Sequence, residues 1–281
     1  GHSDALLAEA GSGVATLGLP GSAGVTPGTV ADTIVVPYND IEAFDAVFAE
    51  HGDDVAAVLV EPIAANMGLV PPVDGYLDDL RERCTNAGAL LVCDEVITGF
   101  RVGPGGAQER FGITPDLSIF GKVVGGGLPL AAIGGPASLL DELAPLGPVY
   151  QAGTLSGNPL ATAAGLAALA LLDAGAYAAL EAIAARLALG LRAAFIEAGV
   201  TAQVTQAYTL VGVFFAPEPV GNYDEARAAD HERYKKFFHG LLRRGVYFAP
   251  SGYETLFPSL AHSDADIDRT IDIAVESISS A

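Results

Sequence analysis

Apolar positions along this chain follow two alternating rhythms: short unbroken runs, and longer stretches with a period near 3.6. Val55-Ala-Ala-Val-Leu-Val60 and Ala89-Leu-Leu-Val-Cys93 are continuous apolar runs, the pattern of strands buried on both faces. Residues 33–36, 116–120 and 130–134 read as further short strands. Between them, residues 39–51 and 75–86 read as amphipathic helices. This order predicts an α/β fold, a mostly parallel sheet with helices on both faces.

After Asn158-Pro159 the rhythm changes. Alanine-rich helices are expected over 160–172 and 177–198, a strand over 209–215, a helix over 226–244 and a short strand near 246–248. A last helix starts at Ser263, where Asp266 three positions on makes a near capping box. We therefore expect a major domain over 1–175 and a smaller C-terminal α+β domain over 176–281. The first 30 residues are rich in Gly, Ala, Ser, Thr and Pro, and such a segment inside a compact protein is functional or disordered.

Composition narrows the function classes. Apolar residues make up 51% of the chain and charged ones 17%, which is globular rather than disordered. The formal net charge of −20 argues against nucleic acid and against anionic membrane surfaces, both of which select for basic patches. An anionic ligand would need a pocket made positive by a few specific groups or by helix N-termini. Cys84 and Cys93 lack metal-ligand spacing and read as small core residues of a reduced, cytoplasmic protein. The most apolar stretch, 160–172, is too short to span a bilayer. The chain starts at Gly1-His-Ser-Asp with neither a methionine nor a signal-peptide pattern, so a fragment is expected.

In open α/β sheets, ligands bind beyond the carboxyl ends of the strands. Three segments put polar groups there: Glu61-Pro-Ile-Ala-Ala-Asn66-Met-Gly68, Asp94-Glu95-Val-Ile-Thr98-Gly-Phe-Arg101, and Gly121-Lys122. A strand-end carboxylate alone often just caps the next loop or helix. Lys122 is one of three lysines; Lys235 and Lys236 sit in an ordinary charged helix, whereas Lys122 follows an apolar strand and precedes a glycine-rich turn. It is either a desolvated, nucleophilic amine or a lysine whose stem is buried and whose head reaches water. Two acids and an amine at strand ends match the needs of pyridoxal phosphate: a lysine to hold it and a carboxylate opposite the pyridine nitrogen. Asp94, at the end of an apolar strand, suits the second role if a nearby cation keeps it ionised. Gly103-Pro-Gly-Gly and Gly125-Gly-Gly lack the spacing of a dinucleotide-binding loop.

The chain resembles the class III aminotransferases of pyridoxal-phosphate fold type I, and within them the glutamate-1-semialdehyde 2,1-aminomutase branch. The broad class is carried by Asp94-Glu-Val-Ile-Thr-Gly-Phe-Arg and by Gly121-Lys-Val-Val-Gly-Gly-Gly-Leu-Pro. The branch is carried by Val60-Glu-Pro-Ile-Ala-Ala-Asn-Met-Gly and by Gln151-Ala-Gly-Thr-Leu-Ser-Gly-Asn-Pro-Leu. Gly1-His-Ser-Asp-Ala-Leu, Ala10-Gly-Ser-Gly-Val-Ala-Thr, Thr114-Pro-Asp-Leu and Ala249-Pro-Ser-Gly-Tyr-Glu extend the likeness over the whole chain.

The resemblance implies that Lys122 holds pyridoxal 5'-phosphate (or passes it to the pyridoxamine 5'-phosphate form) and that Asp94 faces the pyridinium. It further implies Asn66 near the phenolic oxygen, Val96 on the ring face, and Thr154 reaching the phosphate of a neighbouring subunit in a homodimer. From residues alone, Thr154 reads as a helix cap before Pro159. Ser12 would belong to a lid formed by residues 1–30, and Glu254 would be an acidic gate near the substrate entrance. The implied reaction is isomerisation of a small amino-aldehyde, glutamate-1-semialdehyde, to 5-aminolevulinate for tetrapyrrole (porphyrin) synthesis, with Lys122 as the proton-moving acid and base. The family's Ser-Gly-Thr/Ala phosphate loop, the stacking aromatic and the substrate-binding arginine do not occur here, so a segment of roughly 100–150 residues is expected to be absent. Two other readings stay open: an ω-aminotransferase with a separate amino donor, and an inactive module that serves folding or dimerisation. Ala64-Ala-Asn-Met-Gly, in place of a Gly-Glu-rich turn, argues modestly against the first.

Overall fold

The computed structural model describes residues 3–9, 16–17 and 19–278. Four strands form the central sheet: β1 (Ala57–Val60), β2 (Leu90–Asp94), β3 (Leu117–Phe120) and β4 (Ala132–Gly134), in that spatial order. The first three are parallel and β4 runs antiparallel to β3. Each parallel step is made by a helical crossover, as the alternating pattern predicts. Helices α1 (Ile41–His51) and α2 (Tyr76–Ala87) bury Phe44, Leu77, Leu80 and Cys84 against Val60, Leu91 and Cys93 of the sheet. Capping fixes their ends: the Asp40 carboxylate accepts the Ala43 amide, and α2 stops at the left-handed Gly88. Asp116 ties the layers together, accepting Arg81 Nη1 of α2 at 2.6 Å and the Leu91 amide of β2 at 2.7 Å.

A short helix, α3 (Gly106–Phe111), follows β2 and was not legible in the glycine-rich sequence before it. Helix α4 (Pro159–Leu169) leads into the long α5 (Ala174–Glu197). Leu187, Leu191 and Phe195 of α5 meet Phe237 and Leu241 of α6 (His231–Arg243), and Ile267 and Ile278 of α7 (Asp264–Ile278), in the largest core cluster. Ser263 and Asp266 cap α7 reciprocally, as expected: the Ser263 amide donates to Asp266 Oδ2 at 2.9 Å and the Asp266 amide to Ser263 Oγ at 3.2 Å.

Three local expectations give way. The helix expected over 226–244 is two, Tyr223–Ala228 and α6, because Ala229 is extended and Asp230 caps α6 through the Arg233 amide at 2.8 Å. No strand forms at 246–248; the Val246 amide instead donates to the Leu241 carbonyl as the close of α6. A strand that went unread, β5 (Gln203–Ala207), pairs antiparallel with β6 (Leu210–Phe214) through a tight turn at Tyr208, whose φ is 54°. Near the start of the chain, Ala8–Glu9 pairs with Leu19–Pro20, and Thr16–Leu17 with Ile34–Val35. Among the described residues no single helix is long and apolar enough to cross a membrane; α4 and α5 would be so only jointly, and they meet at 79°.

Candidate active site

Strand register brings the flagged residues to one edge. Val60 pairs with Cys93, and Asp94 with Ile119, so Glu61, Asp94 and Gly121-Lys122 all lie at or just beyond the carboxyl ends of β1, β2 and β3. Asp94 and Glu95 then part company, because successive residues of a strand point to opposite sides. Glu95 is fully buried, and its carboxylate accepts the Ala107 amide at 2.9 Å, the Gln108 amide at 2.7 Å and the Thr98 hydroxyl. It caps α3. Asp94 stays half-buried and its Oδ1 accepts only a local bond, from the Val96 amide at 2.9 Å. The capping role that either acid could have filled thus falls to Glu95, and Asp94 is left facing the strand ends.

Lys122 opens a single 3-10 turn, Lys122–Gly125, with φ of +46°. A left-handed backbone is uncommon for a non-glycine residue and concentrates at functional sites. The turn is pinned from behind by α4: a Cβ on Gly165 would lie 2.2 Å from the Val124 carbonyl oxygen, so only glycine permits this approach. From the front, Val96 packs on Gly121, where a Cβ would sit 3.2 Å from Val96 Cγ1. Val96 therefore stands between the carboxylate of Asp94 and the lysine turn. Lys122 is exposed on this chain.

Glu61, flagged in the sequence as a strand-end acid without a role of its own, is part-buried beside β2. Burial pushes its carboxyl up to about 6; Asp94 adds to the rise, while the Ala65 amide, Lys122 and the Asn66 side chain oppose it. Its Oε2 accepts the Ala65 amide at 3.1 Å. Its place directly after an apolar strand was legible in the sequence; its neighbour across the sheet follows from the β1–β2 register. Asn66 is exposed in the loop after β1, one residue past the Ala65 amide that Glu61 accepts.

The C-terminal part of the chain reaches the same place. The Gly68 amide donates to the Tyr253 carbonyl at 2.6 Å and the Thr255 hydroxyl to the Ala65 carbonyl at 3.3 Å, which carries the exposed Glu254 to the loop holding Asn66. Gly68, at φ +86°, lets Phe214 pack where a Cβ would meet the ring at 2.1 Å. Arg101 locks the arrangement: Nη2 donates to the Thr209 and Pro258 carbonyls at 3.1 and 2.5 Å, and its guanidinium lies 5.5 Å from the Phe257 ring centre. Burial lowers that guanidinium to about 10.

Thr154 lies in an exposed loop before α4. It is not the helix cap; Asn158 is, accepting the Ala161 amide at 3.0 Å. Ser12 lies outside the described residues. Among the described residues no cluster of three or more His, Cys, Asp or Glu could hold a metal.

The profile of the class-III aminotransferase family matches residues 1–278. The chain belongs to the class III aminotransferases. Within that family it is 54% identical to a glutamate-1-semialdehyde 2,1-aminomutase of Thermomicrobium roseum over 98% of its length, and 53% identical to one of Desulforapulum autotrophicum, also over 98%. This class III chain spans 64% and 65% of the length of those two relatives. Its backbone superposes on an omega-transaminase from Sphaerobacter thermophilus with a TM-score of 0.92 at 28% identity, covering all of this chain and 66% of that one. A glutamate-1-semialdehyde-aminomutase from Pseudomonas aeruginosa follows at 0.85 and 30%, covering all of this chain and 64% of that one. One such Pseudomonas aeruginosa structure is a complex with PMP, and a further similar structure is a transaminase with PLP bound.

Proposed function

We propose that this class III chain carries the lysine and the ring-binding half of a pyridoxal-phosphate-dependent glutamate-1-semialdehyde 2,1-aminomutase. The observation that carries this reading is the convergence of Asp94, Val96 and Lys122 at adjoining strand ends, in a chain more than half identical to named aminomutases. The donor set fits the cofactor ring: a carboxylate for the pyridine nitrogen, an apolar face at Val96, an amide at Asn66 for the phenolic oxygen and an amine at Lys122. When bound, the cofactor supplies an electron sink and, in its pyridoxamine form, the amine that is exchanged.

The remaining chemistry belongs to the protein. Asp94 keeps a proton on the ring nitrogen, Val96 supports the ring, and Lys122 Nζ moves protons to and from the substrate carbons as general acid and base. Asn66 orients the ring and Glu254 guards the approach of a small amino-aldehyde. Thr154 contributes to the phosphate cup of a second copy. The loop and helix around Thr154 support a homodimer, since Leu146, Tyr150 and Leu160 are each about three-quarters exposed or more (78%, 84% and 76%). We place the major and minor domains at 1–175 and 176–281, and the protein in the cytoplasm, without nucleic-acid or membrane partners.

Incubation with the semialdehyde alone, without an amino donor, tests the assignment: 5-aminolevulinate is expected, and a strict requirement for a donor would overturn it. The similarity of backbone to an omega-transaminase makes the donor-dependent reaction the second reading. Borohydride reduction with pyridoxal phosphate should fix the cofactor's mass on the Lys122 peptide and leave Lys122→Ala unlabelled. Equal labelling of both would reduce the chain to an inactive module.

A further inference from the structure

We propose that Phe100 is a positioning residue for Lys122: its ring, held in a left-handed turn after β2, braces Phe120 and so sets the direction in which the chain leaves β3 for the lysine turn. The inference deepens the proposed function and rests on it for what Lys122 does, whereas the brace itself stands on geometry. The two rings lie 5.4 Å apart, tilted by 41°, and Phe120 is the last residue of β3, directly before Gly121-Lys122. Gly99 brings the turn this close: a Cβ there would lie 2.6 Å from Phe120 Cδ1 and 2.6 Å from the Glu95 carbonyl oxygen. On its other edge, Phe120 Cε2 lies 3.5 Å from where a Cβ on Gly134 of β4 would stand. The Glu95 amide donates to the Ile119 carbonyl at 2.9 Å, which keeps the start of the turn in register with the end of β3.

The backbone of Phe100 shows that the ring is held there. Its φ is +57°, a region that bulky residues rarely enter and glycine enters freely. The chain has a glycine one position earlier, yet the left-handed residue is the aromatic one. Such a conformation persists where its surroundings over-determine it. Three bonds to distant elements do so here. The Tyr177 hydroxyl of α5 donates to the Phe100 carbonyl at 3.0 Å, the Thr209 hydroxyl to the Arg101 carbonyl at 3.0 Å, and Arg101 Nη2 back to the Thr209 carbonyl at 3.1 Å. Closer in, the Thr98 hydroxyl donates to the buried Glu95 carboxylate that caps α3. Lys122, itself left-handed at +46°, follows Phe120 through Gly121, which has no side chain to be gripped. Phe120 is the last side chain before that glycine, so bracing its ring limits the angles at which the lysine can leave the sheet.

Reductive carbon-13 methylation tests the brace without cofactor: the chain holds three lysines, and the Lys122 signal is the one missing from Lys122→Arg. That signal should shift in Phe100→Ala and in Phe100→Gly alike, although glycine relieves the backbone, and return in Phe100→Tyr. A Lys122 signal indifferent to both truncations would overturn the proposal. The second measurement is the rate, per folded molecule, at which borohydride traps pyridoxal phosphate on Lys122. It should fall about tenfold or more in Phe100→Ala and recover in Phe100→Tyr. Phe195→Leu, which loosens the C-terminal core instead, should trap at the parent's rate. An equal fall in Phe195→Leu, or parental trapping in Phe100→Ala, would defeat the role of Phe100 and leave the proposed function standing. A parent that traps nothing would defeat the proposed function, and the methylated-lysine signals would still decide the case for Phe100. Should Phe100→Ala fail to fold, Tyr177→Phe takes its place, since it removes only the hydroxyl on the Phe100 carbonyl. A shifted Lys122 signal there supports the brace, and an unshifted one overturns it.

Discussion

At the scale of single residues, the site works against stability. Burial raises the Glu61 carboxyl from 4.5 to about 6, so the folded chain holds that proton more tightly than the unfolded one. The stability this contributes is complete below about pH 4.5 and is lost as the pH climbs through 6. A change of this size corresponds to ~2 kcal/mol. Glu61→Gln should therefore be more stable than the parent above pH 7, by up to ~2 kcal/mol, and lose that advantage near pH 4; urea denaturation at the two pH values checks it. Lys122 carries a second cost in its left-handed backbone. Lys122→Gly should gain on the order of 1 kcal/mol over Lys122→Ala in the same experiment. Sequence reasoning found Asp94 and Lys122 through residue type and position. It chose Asp94 over Glu95 but gave Glu95 no role, since the cap that Glu95 makes depends on the neighbouring helix α3, which the sequence did not announce.

At the scale of elements, legibility followed the strength of the local pattern. The continuous runs of β1 and β2, the cap of α7, and the helices between the strands were readable because each signal lies within a few residues. The turn at Tyr208 carries none of the Asn-Gly chemistry that marks a hairpin, and β5 went unread with it. The break before α6 depends on the Asp230 amide donating to the Phe215 carbonyl, a partner fifteen positions earlier in a different element. One element contact bears directly on the site. Gly165 of α4 lets that helix rest on the turn that carries Lys122. Gly165→Ala should destabilise by about 1–3 kcal/mol and, in the folded fraction, cut borohydride trapping at Lys122 more than a surface substitution such as Lys236→Ala. Equal trapping per folded molecule would show that α4 does not position the lysine.

At the scale of the whole molecule, the order of segments was legible and the ties between them were not. Arg101 reads in sequence as one residue of a strand-end motif, yet its guanidinium bonds to carbonyls 108 and 157 positions away. Those bonds tie the β5–β6 turn and the segment after Glu254 to the strand-end motif that carries Arg101. Apolar surface is unevenly spread: Leu146, Tyr150 and Leu160 cluster in sequence around Thr154 and are exposed together. Sedimentation velocity should show concentration-dependent dimers in the parent, and Tyr150→Asp should shift the population toward monomer without loss of helical signal. A monomer at every concentration would remove the neighbouring subunit from the account of Thr154.

Cys84 and Cys93 are both buried, and burial pushes their thiols up to about 11 and about 12. In practical terms the folded chain offers no thiolate to a labelling reagent near neutrality. Ellman's reagent should find none before denaturation and two after it. Any cysteine introduced on the surface would then be a unique handle. Lys122→Cys followed by aminoethylation would rebuild a lysine-like amine at that single position, with a sulfur in its stem and a backbone already set in direction. A fluorophore attached at Thr154→Cys would report on whatever approaches that loop, with no background from the protein's own thiols.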